Sequence, residues 1–180
     1  MMFTPIVLFV YNRPIHTKQV LDALSKNPES KQSILYVYCD GAKENTGHEQ
    51  IENISKTRQI IQSEKRFKDI IIMIRSTNFG LANSIINGVT EVIEKHGRVI
   101  VLEDDVLPMK GFLNYMNTAL KLYEKNEEVG CIHAWNYHFA QPSIKESTFF
   151  LKGADCWGWA TWKRAWDLFE SNGSLLLNDI

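Results

Sequence analysis

The sequence predicts an α/β domain, a mostly parallel twisted sheet with helices on both faces, and three observations carry that reading. Short unbroken apolar runs rich in β-branched residues recur at 6–10, 33–39, 70–74 and 98–102, the pattern of strands buried on both sides. Segments with apolar residues at helical spacing alternate with these runs, as in a chain of βαβ units. Each run also ends abruptly in polar or charged residues, and in a parallel sheet such ends lie along one edge, where ligands bind. With 180 residues, 44% hydrophobic and 23% charged, the chain reads as a single domain over 1–180 with a core of its own.

In order, Ile6-Val-Leu-Phe-Val10 is a strand that stops at the turn Asn12-Arg13-Pro14. A helix over 15–26 carries Val20, Leu21 and Leu24 on one side and ends at Asn27-Pro28. The second strand, 33–39, runs into Asp40-Gly41, and after a polar loop over 43–49 a helix to about residue 65 carries Ile51, Ile54, Ile60 and Ile61. The third strand leaves Arg75-Ser-Thr-Asn78 at its mouth. Leu81, Ile85, Val89, Val92 and Ile93 then mark a helix that Gly97 stops. The strand over 98–102 runs into Glu103-Asp104-Asp105. A helix over 112–123 turns Phe112, Tyr115, Met116, Ala119, Leu120 and Tyr123 inward, and 129–135 reads as extended. Residues 148–151 read as a short strand. Trp159, Trp162 and Trp166 stand at i, i+3 and i+7, one face of a helix; they serve either as an aromatic plug on the sheet or as a platform for sugar rings. The apolar run Leu175-Leu-Leu177, just before the last residue Ile180, suggests a fragment of a longer protein.

The formal net charge of −1 gives no general attraction to nucleic acid or to anionic membrane. Cys39, Cys131 and Cys156 lack metal-type spacing and read as reduced thiols of a cytoplasmic protein. No run approaches the about 20 apolar residues of a transmembrane helix, and the first apolar run is too short for a signal peptide. No integral membrane segment is expected, which leaves room for peripheral association with a membrane; nothing in the sequence signals an oligomeric state.

The chemistry concentrates at the strand mouths. Three adjacent carboxylates cannot be kept inside a buried strand, so Glu103, Asp104 and Asp105 belong at its open end. Their mutual repulsion is relieved by a hard cation of the Mg2+ or Mn2+ type, which in turn receives a phosphorylated ligand. An acidic turn closing a core strand is the structural alternative. Asn12-Arg13, Asp40 and 75–78 converge on the same edge, with Arg13 and Arg75 able to grip phosphate and Asp40 able to accept from a base or ribose. The phosphate loop of ATPases, the glycine fingerprint of dehydrogenases and the serine elbow of hydrolases are all missing from the sequence. His133 and His138 lack partners for a zinc site.

At this point Phe9-Val-Tyr-Asn-Arg-Pro14, Tyr38-Cys-Asp-Gly41, Asn78-Phe-Gly-Leu-Ala-Asn83, Val101-Leu-Glu-Asp-Asp105 and Gly158-Trp159 resemble the motifs of GT-A glycosyltransferases. Within them the resemblance is greatest to the N-acetylglucosaminyltransferase I group and its bacterial family-2-like relatives, which share Glu-Asp-Asp, Ala134-Trp135-Asn136 and a Trp seven residues after Gly-Trp. The resemblance implies a nucleotide-sugar donor, UDP-linked, bound in 1–136, with 137–180 opening the acceptor-side half. It implies that Tyr11, Arg13, Asp40, Arg75, Asn78, Asn83, Glu103 and Asp104 hold the donor, Asp40 on the uracil, and that Asp105 binds Mn2+ or Mg2+. Trp157 and Trp159 fall on the side of a glycan acceptor. The reaction implied is inverting, and its general base is expected beyond Ile180, with Asp155 and Asp179 as the weaker candidates. Two alternatives stay open: a non-catalytic nucleotide-sugar-binding module or scaffold without the base, and a sugar nucleotidyltransferase. A phosphoacceptor receiver domain fits the tryptophan-rich tail poorly.

Overall fold

A computed structural model describes residues 3–135 and 148–177. Strands β1 (Ile6–Val10), β2 (Ile34–Cys39), β3 (Asp69–Ile74), β4 (Arg98–Glu103), β5 (Cys131–His133) and β6 (Trp159–Trp162) form one sheet in the order β3-β2-β1-β4-β6-β5. The first four are parallel, while β6 runs antiparallel to both β4 and β5. Between them lie α1 (Pro14–Ser25), α2 (His48–Ser63), α3 (Leu81–His96) and α4 (Phe112–Leu122), followed after β6 by the short α5 (Lys163–Trp166) and α6 (Gly173–Leu177). The predicted α/β architecture is therefore the one observed.

Local chemistry sets the element ends. Pro14 opens α1 at a position where the missing N–H is no loss. Gly97, at φ 76°, closes α3 in the left-handed region and donates its N–H to the Ile93 carbonyl at 2.7 Å. Alternation along the strands then splits the core in two. On one face Ile6, Leu8, Leu35, Val37, Ile100 and Leu102 meet α1 and α4 through Leu21, Leu24, Leu113 and Met116. On the other Val7, Phe9, Tyr36, Tyr38, Val99 and Val101 meet α3 through Val89, Val92 and Ile93. Each fully buried Leu or Ile contributes about 1.5–3 kcal/mol by leaving water.

Several expectations need correction. The tryptophans do not share a helical face: Trp159 and Trp162 are the two ends of β6, so they point to opposite faces of the sheet. Trp162 enters the core beside α4, and Trp159 stacks on Trp166 at 5.9 Å on the α3 side. Residues 148–151 form no strand, and Phe150 and Leu151 are exposed. The extended piece at 129–135 narrows to the three residues of β5. Tyr115 is exposed at the place where Leu113 is buried, and Leu81 and Ile51 also face solvent. In these helices the buried stripe is rotated by about one residue, and small or polar residues (Thr57, Ser84, Gly88) complete it.

On the α3 face, the Tyr36 hydroxyl meets His96 Nε2 at 2.8 Å, and burial holds the His96 pKa below its ordinary value. A histidine depressed in the folded state binds fewer protons than in the unfolded chain, so stability falls as pH drops below about 6.5. Replacing His96 with Gln should flatten this acid slope below about pH 6.5, read by urea unfolding at each pH.

Candidate functional site

The parallel strands open onto a cleft of about 310 Å³ at their C-terminal edge. Its floor is the stacked pair Phe9 and Tyr38, ring centroids 5.4 Å apart. β1 delivers Tyr11, Asn12 and Arg13 to its wall, β2 delivers Asp40, and β4 delivers Glu103, Asp104 and Asp105. The turn before α3 adds Asn78 and Gly80 from the opposite side. These residues meet because the strands that carry them are neighbours in the sheet.

Asp40 is buried, and four donors converge on it. Oδ1 accepts the N–H of Gly41 and of Phe79, each at 2.9 Å, and Oδ2 accepts the N–H of Gly80 at 3.1 Å and the Ser84 hydroxyl at 3.5 Å. A carboxylate offers about four acceptor sites, so Asp40 is filled by the turn at the head of α3. Asn78 closes the same turn, its amide donating to the Gly41 carbonyl at 2.8 Å and accepting from Gly80 N–H at 3.1 Å. Arg75 lies behind the cleft wall, stacked over Phe79 at 4.1 Å and donating to Ser84 Oγ at 2.8 Å. Arg58 ties the two strand ends by donating to the carbonyls of Asp40 and Arg75.

Across the cleft the three acids sit in different surroundings. Asp104 is buried, and that burial lifts its pKa despite the positive Arg13 nearby. Burial and the two neighbouring carboxylates lift Glu103 as well. Asp105 is half exposed, and Arg13 Nη1 donates to its Oδ2 at 2.7 Å while lying 3.5 Å from Asp104 Oδ1. This set suits a hard divalent cation such as Mn2+ or Mg2+: its donors are carboxylate oxygens, and the Arg13 guanidinium already stands on Asp105 as a positive substitute. Among the described residues no three side chains close into a complete cage. An ion held by Asp105 would take its other ligands from phosphate or water. The Tyr11 hydroxyl is buried with no hydrogen-bond partner among the described residues, a polar atom left for a ligand.

Of the residues picked out from the sequence, Tyr11, Arg13, Asp40, Asn78, Glu103, Asp104 and Asp105 line the cleft, and Arg75, Asn83, Asp155, Trp157 and Trp159 do not. The Asn83 amide donates to the Phe79 carbonyl within its own helix turn. Asp155 Oδ1 accepts the Trp157 N–H at 2.7 Å, and Trp157 stacks on Trp135 at 5.4 Å. Asn136, His138, Asp179 and Ile180 lie outside the described residues. The expectation of a general base beyond Ile180 therefore falls outside them too, and the described residues assign no base: the one candidate among them, Asp155, stands away from the cleft. Lys43 and Ser84 line the cleft and were missed. Ser84 carried one usable signal, a small polar residue one turn after a glycine at a helix start; Lys43 sits in a loop whose periodicity says nothing.

The sequence matches no protein-family model and no curated protein. The fold is similar to that of a mannosyltransferase from Pyrobaculum calidifontis solved with GDP-Man and Mn2+, with a TM-score of 0.51 and 14% identity over 71% of this chain and 34% of that one. S. aureus TarS gives 0.48 and 15% over 68% of this chain and 20% of that one. A 4-diphosphocytidyl-2C-methyl-D-erythritol synthase gives 0.47 and 12% over 100% and 86%. The chain thus spans about a third of the mannosyltransferase and a fifth of TarS. The fold is of the GT-A, nucleotide-diphospho-sugar transferase type.

Proposed function

We propose that this chain is the donor-binding part of an inverting, metal-dependent glycosyltransferase that uses a UDP-linked sugar and a glycan or surface polysaccharide acceptor. The observation that carries the reading is the convergence of Arg13, Asp40, Asn78, Glu103, Asp104 and Asp105 on one cleft at the sheet's C-terminal edge. The fold likeness to the mannosyltransferase solved with GDP-Man and Mn2+ supports it. The Glu-Asp-Asp and Gly158-Trp159 motifs favour a branch like the N-acetylglucosaminyltransferase I group. Three cysteines without a disulfide fit a reducing, cytoplasmic setting, and no described helix is long and apolar enough to cross a membrane.

In this reading Arg13 neutralises the diphosphate, and Glu103 and Asp104 face the ribose and donor sugar. Asp40 shapes the wall on the base side. Asp105 would hold the cation, which supplies charge stabilisation for the departing nucleoside diphosphate. Asp155, tied to the Trp157 backbone, fits acceptor positioning together with the exposed Trp157 better than proton removal. The described residues assign no proton acceptor.

Calorimetric titration of UDP, GDP and dTDP with and without Mn2+ tests the reading. Mn2+-dependent UDP binding is expected, and Asp105→Ala should weaken it by at least about tenfold, the cost of losing even an outer partner of a metal. A folded protein that binds none of the three nucleotides would sink the proposal, as would an Asp105→Ala variant that binds like wild type.

A further inference from the structure

We propose that Arg13 and a divalent cation are alternative partners of Asp105, so that Arg13 gates the metal site. Without ligand the guanidinium holds the carboxylate; a polyphosphate ligand draws it away and opens Asp105 to the cation. The inference rests on the nucleotide-sugar reading for the identity of that ligand.

The geometry makes the exchange direct. Arg13 Nη1 lies 2.7 Å from Asp105 Oδ2, so guanidinium and cation would have to share one exposed carboxylate. Both side chains are about half exposed, at 52% and 51%, and ion pairs in such settings are weak and readily exchanged. The backbone beneath is fixed: Arg13 caps α1, Pro14 follows it, and the Arg13 carbonyl accepts the Thr17 N–H at 2.9 Å. Movement is therefore confined to the side chain. Asp104, with a side chain only 10% exposed, lies 3.5 Å from the same guanidinium, and it leans on that charge, so departure of Arg13 without a replacement charge is unfavourable. A new positive charge on the cluster lifts that dependence, and a diphosphate offers the fork of donors a better, bidentate partner. Tyr11, whose buried hydroxyl has no partner among the described residues, belongs to the wall of the same cleft.

Two consequences follow from competition for one carboxylate. Metal alone binds weakly to the free chain, and nucleoside diphosphate and metal strengthen each other's binding reciprocally. Removing the arginine charge uncouples them: the cation gains Asp105 without contest, and the diphosphate loses its grip.

The experiment is Mn2+ binding followed by the EPR signal of free ion, with and without UDP, on wild type, Arg13→Gln, Arg13→Ala and Arg13→Lys. Circular dichroism checks each fold. We expect Arg13→Gln and Arg13→Ala to bind Mn2+ alone about tenfold more tightly than wild type, a typical coupling, and to lose most of the enhancement by UDP. Arg13→Lys, which keeps the charge, should stay near wild type. Unchanged or weaker Mn2+ affinity in both neutral variants overturns the gate, even where wild type binds UDP with Mn2+ and so upholds the nucleotide-sugar reading. Tighter Mn2+ binding in those variants, with UDP bound by none of the proteins, supports the competition at Asp105 and overturns the nucleotide-sugar reading instead.

Discussion

Replacing Trp162 with Ala should cost about 3–5 kcal/mol of folding stability, the range for emptying a large aromatic from a core. Trp162 is 3% exposed and does three things at once. Its ring fills the core between β6 and α4, its indole N–H donates to the Leu120 carbonyl at 3.0 Å, and the Arg164 guanidinium lies 4.4 Å over its face. Arg164 in turn donates to the carbonyls of Tyr123, Glu124 and Val129. The end of α4, the chain leading to β5 and the antiparallel strand are thus fastened through Trp162 and the Arg164 stacked on it. Against a usual total of about 5–15 kcal/mol, the loss leaves a marginal domain. Urea unfolding measures it directly. Trp162→Phe separates the causes, because it restores most of the volume and forfeits the hydrogen bond, worth about 1 kcal/mol. A loss under about 1 kcal/mol in the Ala variant would mean that β6 is held by its backbone pairing alone.

Gly41→Ala is expected to damage the cleft more than the core. A Cβ at this position would lie 2.4 Å from the Thr77 carbonyl carbon and oxygen, and backbone cannot yield as a side-chain tip can. Gly41 also donates to Asp40 and accepts from Asn78, so its displacement loosens the turn that Asp40 organises. Stability should fall by about 1–3 kcal/mol, as in overpacking, and UDP affinity by roughly tenfold or more, the effect of a misplacement near 1 Å. Gly130→Ala is the matched control, since a Cβ there meets nothing within 4 Å. Equal losses of UDP binding in both variants would argue that Gly41 is not special.

The sheet was legible because its strands are buried on both faces, which forces near-continuous apolar runs that few other structures need. The cleft was legible for the same reason: a charge following such a run can only sit at its mouth. What misled was chemistry that two geometries share. The tryptophan spacing fits a helix face, yet a glycine at φ 76° (Gly158) and pairing with β4 place Trp159 in a strand. Asp40 read as a ligand acceptor because sequence shows an acid at a mouth but not the three backbone N–H groups that fill it. Arg75 belongs with Asp40, since only the fold reveals that Phe79 and Ser84 are its partners.

The reversal of strand direction at β6 has an evolutionary corollary. β5 ends and β6 begins at the same edge of the sheet, His133 standing opposite Trp159, so the chain joining them has both of its ends on that edge. A segment exchanged between those ends would leave the pairings of β1, β2 and β4 in place, since connecting loops tolerate insertions. Under the proposed function, acceptor choice would diverge by exchange of one segment, with the proposed nucleotide-side half inherited unchanged. Chimaeras joined between 134 and 158 are the natural place to recruit new specificities onto this scaffold.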